Sequence, residues 1–168
     1  MATVAADRSR FTLAPQLYDR FLAAISTMML VALVAALARG SAGWAWVPPL
    51  VWAHLLTIGV ALTLTPIMLL RKRGDRIHRV AGWIWVSSLM MTALLSFGVR
   101  GLNGEALSPI HILSAATLIL TPKIIITARR KQHQKHRMAV RLMITGTLVV
   151  AGAFTLLPDR LIGHWLFG

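Results

Sequence analysis

Long apolar runs alternate with short polar ones along this chain. A helix needs about 20 predominantly apolar residues to cross the hydrocarbon core of a bilayer. Five segments meet that length: 21–38, 47–70, 80–99, 110–127 and 138–157. The second is long enough to tilt. Gly40 and Pro48-Pro49 break the chain between the first two runs, and Gly101, Gly104 and Pro109 break it between the third and fourth. Trp44, Trp46, Trp52 and Trp165 suit the membrane–water interface. The closing LIGHWLFG is too short to span and is expected at the outer interface, anchored by Trp165 and Phe167. The pattern predicts an all-α polytopic membrane protein with five transmembrane helices in a single domain over residues 1–168.

Composition supports the membrane class. Hydrophobic residues make up 57% of the chain and charged residues 14%, with mean hydropathy +0.68. A soluble domain carries roughly 25% charged residues. The formal net charge of +13 would suggest nucleic acid in a soluble chain. Here the cations sit in short loops beside apolar runs, so anionic lipid head groups are the expected partners and nucleic acid is not. Fifteen Lys and Arg fall in the N-terminal tail, the loop after span two and the region around the loop between spans four and five, against three on the other side (Arg39, Arg100 and Arg160). By the positive-inside rule the N-terminus is cytoplasmic, the C-terminus is outside, and the expected location is a bacterial inner membrane. The N-terminus carries acidic residues and no immediate apolar core, so it does not read as a cleavable signal peptide. With no cysteine, disulfides, iron–sulfur clusters, thiolate metal sites and covalently attached haem are excluded.

The two basic loops belong to a longer internal similarity. HLLTIGVALTLTPIMLLRKRGDRIHRVAGW starts at His54, and HILSAATLILTPKIIITARRKQHQKHRMAV starts at His111. Each begins with His, places a hydroxyl three residues on (Thr57, Ser114), carries Thr-Pro in the middle (Thr65-Pro66, Thr121-Pro122) and ends in a basic cluster with His-Arg (His78-Arg79, His136-Arg137). This predicts a four-helix core from a duplicated hairpin, with units at about 47–99 and 109–157, plus the N-terminal helix. Both copies run outside to inside and back, so their two-fold axis would lie along the membrane normal. Each Pro frees a carbonyl four residues back, at Leu62 and Leu118, and Thr65 and Thr121 are placed to compensate.

The repeat sets four histidines in two layers. His54 and His111 form an outer pair, and His78 and His136 an inner pair. Ionisable residues within a membrane bundle are candidates for function, and paired imidazoles from facing helices are what six-coordinate haem iron needs. The candidate cofactor is haem b, with iron held by His54 and His111 and by His78 and His136. Arg79, Arg137 and Arg141 are candidates to meet haem propionates or lipid phosphates. The plainer alternative is that these histidines and arginines are interfacial polar residues, as His164 is expected to be. His133 with His136 makes an HxxH, but without a cysteine or acidic neighbour it points only weakly to zinc.

The two His pairs resemble the architecture of transmembrane di-haem b-type cytochromes of the ascorbate-reducible kind, without their substrate-binding motifs. The run from Trp52 through HRVAGW, SPIHILSAATL and KHRMAVRLMITG to DRLIGHWLFG also resembles the family of domain of unknown function 2306. That likeness covers about residues 46–168, with Ser108, Pro109, His111, His136, Arg137 and Met138 at its distinctive positions. It implies the fold and a membrane location but no reaction. Three functions follow as rivals. The first is one-electron transfer across the membrane by haem, with a quinol or another redox partner. The second is a small transporter or channel, which the parallel repeats suit but which lacks an acidic residue within any predicted span. The third is a non-catalytic membrane scaffold or assembly factor. An enzyme here would be a membrane oxidoreductase; no GxSxG, HExxH or P-loop points to a hydrolase.

Overall fold

The computed structural model describes residues 15–99 and 110–168. Among them the fold is entirely helical. Helix α1 (Leu17–Arg39) is followed by a 3-10 turn (Ser41–Trp46), α2 (Pro49–Leu70), α3 (Arg76–Ser96) and α4 (Ile110–Arg129). Helix α5 (His133–Thr155) contains a π-helical stretch at Ile144–Val150, and the short α6 is Leu161–Phe167. The first five are long and apolar enough to cross a membrane. Arg100, Gly101, Gly104, Ser108 and Pro109, named above, lie outside the described residues, as do Arg8 and Arg10 of the N-terminal tail.

The helices overrun the apolar segments at the basic end of the bundle. α1 starts at Leu17, α3 at Arg76 and α5 at His133, against expected starts at residues 21, 80 and 138. Helical hydrogen bonding does not stop where hydrophobicity does, and long basic side chains can carry their charge outward while the stem stays packed. At the start of α3, Asp75 accepts the His78 backbone N–H at 2.6 Å, an N-cap that takes up an otherwise orphaned donor. This bond, together with the Arg71 guanidinium, holds the Asp75 carboxyl below the usual carboxylate range. Gly74 just before it has φ +87°, a left-handed conformation that suits glycine.

Pro66 and Pro122 lie inside helices that run on through them. The neighbouring hydroxyls do not serve the freed carbonyls at Leu62 and Leu118, as the sequence suggested. Thr65 donates to Ala61 and Thr121 to Thr117, each at 2.7 Å. This is the usual bond of a helical threonine to the carbonyl one turn back. It leaves the Thr65 oxygen able to accept Trp85 Nε1–H from α3 at 2.9 Å, wholly buried.

Consecutive helices pack on one another, and α1 packs on the π-helical part of α5, so the five spans close into a ring in chain order. The shared core holds Leu22, Leu62, Trp85, Leu89, Met143, Ile144 and Leu148, with Ala23, Ala36, Ala61 and Ala139 where backbones approach. Met28, Val31, Leu56, Ile112, Ile119 and Met138 point outward, apolar and exposed, as a lipid-facing surface requires. At the far end, α6 folds back on α1. The Trp165 indole lies over Gly40, where a Cβ would fall inside the ring, and Arg39 Nε donates to the Trp165 carbonyl at 3.3 Å. Gly40→Leu should therefore expel α6 and lower the melting temperature of the purified protein by several degrees, whereas Gly59→Ala, with open space around its Cβ, should leave it nearly unchanged. Equal melting temperatures for the two variants would contradict this packing.

Candidate functional site

Hydroxyl pairs join successive helices. Thr92 of α3 donates to Thr57 of α2 at 2.8 Å. Ser96 of α3 donates to Ser114 of α4 at 2.7 Å. Thr117 of α4 and Thr147 of α5 share a hydrogen bond of 2.7 Å. Each bond satisfies two polar groups that hydrocarbon could not.

His54 and His111 are part of these seams. His54 Nδ1–H donates to the Thr92 carbonyl at 3.1 Å, and His111 Nε2–H donates to the Ser96 carbonyl at 3.1 Å. A carbonyl only accepts, so the ring nitrogen in each bond carries the hydrogen. His54 with Thr57, and His111 with Ser114, thus make the same two-point clip. The imidazole takes the backbone carbonyl of one α3 residue, and the hydroxyl three positions on takes that residue's side chain. Thr92 and Ser96 are one turn apart, about 6 Å along the helix, so His54 and His111 are anchored to successive turns of α3. The sequence repeat is not matched by the contacts here: a strict two-fold would carry the partner of His111 from α3 to α5. The ring of Phe97 lies 5.7 Å from that of His111.

At the basic end, His136 Nδ1–H donates to the Ile124 carbonyl of α4 at 3.1 Å. The His78 Nδ1 is buried and has no hydrogen-bond partner among the described residues. His78 and His136 lie within electrostatic reach of each other and of Arg73. The structure therefore brings His78 and His136 together at the basic end, while His54 and His111 share only α3 as a common partner at the other. His133 is exposed. Among the described residues there is no group of three or more His, Asp or Glu able to hold a metal.

The three candidate arginines divide into two groups. Arg79 donates to the Gly74 carbonyl at 2.8 Å and tightens the loop between α2 and α3; it stays exposed. Arg137 and Arg141 instead reach Asp19 at 3.1 and 2.8 Å, and Arg73, which the sequence did not single out, reaches it at 2.6 Å. Asp19 is fully buried and also accepts the Gln16 backbone N–H at 2.9 Å. Arg141 donates as well to Gln16 Oε1 at 2.7 Å and lies over the Tyr18 ring at 5.3 Å. Asp19 was expected outside the first span, placed at 21–38; α1 starts at Leu17 and takes it into its first turn. A span therefore does hold an acid, but its carboxylate is committed to three guanidiniums. One signal in the sequence could have found it: Asp19 is an acid just before the first apolar run in a chain with only five Asp and Glu.

No protein-family model, curated protein or solved structure matched the chain. The likenesses described above rest on the quoted motifs alone. Two substitutions rank the contacts of the site. Removing one partner of a buried ion pair costs about 3–5 kcal/mol, while an interhelical hydrogen bond in a membrane bundle averages about 0.6 kcal/mol. Asp19→Ala should thus destabilise the detergent-solubilised protein far more than Thr92→Val, as read by denaturant unfolding.

Proposed function

We propose that this chain is an inner-membrane electron carrier in which His54 with His111, and His78 with His136, are axial ligands of two b haems. The N-terminus and the basic end then face the cytoplasm, as the charge asymmetry implies. One observation carries the reading: His78 and His136 lie within electrostatic reach of each other at one end of the bundle, while His54 and His111 bind carbonyls one turn apart on α3 at the other. A ligating imidazole nearly always donates its other ring N–H to a carbonyl or carboxylate. His54 and His136 satisfy this through Nδ1, which leaves Nε2 for a metal. His111 is held through Nε2. The buried Nδ1 of His78 is a polar atom in need of a partner.

The donor set therefore suits a group that takes two nitrogen ligands and supplies the rest of its coordination itself. Bound haem would supply reversible one-electron chemistry at iron. The chain's own part is to fix the imidazole tautomers, to keep water out with Leu62, Trp85, Leu89 and Leu148 between the two layers, and to present cations at one end for a negatively charged periphery. A quinol or another reductant at the bilayer surface is the partner this reading calls for.

The second reading is a non-catalytic bundle, favoured by the clips themselves, which give His54 and His111 a structural task without any cofactor. Spectroscopy separates the two. Protein expressed with haem supplementation should show a Soret band and two haems per chain. His136→Ala and His54→Ala should each remove about half of it. A folded protein without a Soret band would eliminate the haem reading and leave the bundle reading standing.

A further inference from the structure

Three guanidiniums from two distant parts of the chain close on one carboxylate at the basic end. Their side chains are only 15% (Arg73), 11% (Arg137) and 23% (Arg141) exposed, and that of Asp19 is 0%. The remaining acids cannot balance them. Asp75 is held by Arg71 at 3.1 Å, Asp159 lies beside Arg160 at 3.7 Å just before α6, and Glu105 belongs to the α3–α4 connection. Asp7 is the one further acid in the sequence. Even if it is counted with Asp19, three guanidiniums outnumber two carboxylates. Every other charged residue nearby in sequence, including Arg20, Lys72 and Arg76, is positive. Cationic surplus that is largely withdrawn from solvent calls for an anion. Planar guanidinium forks suit a phosphate group above all others. The cluster also stands where α1 and α5 begin and α2 turns into α3, which is head-group depth for helices that span a bilayer.

We propose that Arg73, Arg137 and Arg141 form a phosphate-binding site, in which Asp19 holds the guanidiniums in place and competes with the bound oxyanion. The phosphate is either the head-group diester of an anionic phospholipid or a free phosphate ion. Arg141 is fixed from three sides, by Asp19, Gln16 and the Tyr18 ring, so it is a preorganised donor. Arg73 links the site to the inner histidines, since its charge acts on both His78 and His136. The site contains none of the four histidines, and its test reads phosphate binding in protein without added haem, so its failure is distinguishable from the absence of a Soret band.

The test uses the full chain, delipidated in a neutral detergent, with thermal unfolding followed against added ligand. Three ligands are compared: inorganic phosphate, short-chain phosphatidylglycerol and phosphatidylcholine of the same chain length. Stabilisation by phosphatidylglycerol without a response to inorganic phosphate supports the site with lipid as its source. A saturating response to inorganic phosphate supports it with free phosphate as its source. Arg141→Gln should raise the half-saturating concentration by about tenfold or more, the loss expected for a charge-assisted bond. Arg79→Gln, which removes an equal charge outside the cluster, should leave it unchanged. Asp19→Asn should bind more tightly than wild type, because the internal competitor is gone. If Asp19→Asn does not fold, Arg141→Gln against Arg79→Gln still decides. Absence of any response in wild type, an equal response to phosphatidylcholine, or equal weakening by Arg141→Gln and Arg79→Gln would overturn the site.

Discussion

A polar group inside a bilayer has no water to turn to, so each one must be satisfied by the protein itself. This bundle meets that constraint with short hydroxyl seams and with two histidines used as clips. Thr57, Thr92, Ser96, Ser114, Thr117 and Thr147 spend their hydroxyls on one another across successive helices. The pairing fixes which face of each helix turns inward. It also fixes the axial offset between neighbours, because a hydroxyl pair tolerates little sliding. Dispersion packing around Trp85, Leu89 and Met143 then fills the space that the seams define.

Helix α3 is the organiser of this arrangement. Its Thr92 and Ser96 receive a histidine each on the carbonyl and a hydroxyl contact each on the side chain. Its Trp85 reaches Thr65 of α2 in the deepest part of the bundle. Its N-terminus is capped by Asp75, beside the loop that delivers Arg73 to Asp19. One helix thus couples His54 and His111 to the basic end. Any ligand that moves α3 would be felt at both.

The basic end is organised on a different principle. There a single carboxylate gathers cations that would otherwise repel one another, and it joins the first helix to the fifth. The ring of helices closes at that point: α1 meets α5 through Asp19 with Arg137 and Arg141, and through Tyr18 with Thr145 at 2.9 Å. A charge surplus and a mechanical joint coincide in the same few residues. This is the physical reason that an anion there would bear on the stability of the whole bundle.

By itself the sequence determined the all-helical class and the number of spans, because apolar length is a local property that a bilayer reads directly. The His-x-x-hydroxyl repeat was likewise legible, and so was the placement of each histidine near a helix end, since spacing along a helix converts to depth. Tertiary structure alone decided what those residues touch. His54 and His111 meet the same helix, and not symmetry-related ones, because ring closure in chain order puts α3 between α2 and α4. Arg79 stays with its own loop while Arg73 turns inward, a choice made by the Gly74 turn and by a partner, Asp19, more than fifty residues away in sequence. Asp19 itself shows the limit most plainly: near the start of an apolar run an acid reads as the end of a loop, and only the approach of three guanidiniums from elsewhere in the chain makes its burial possible.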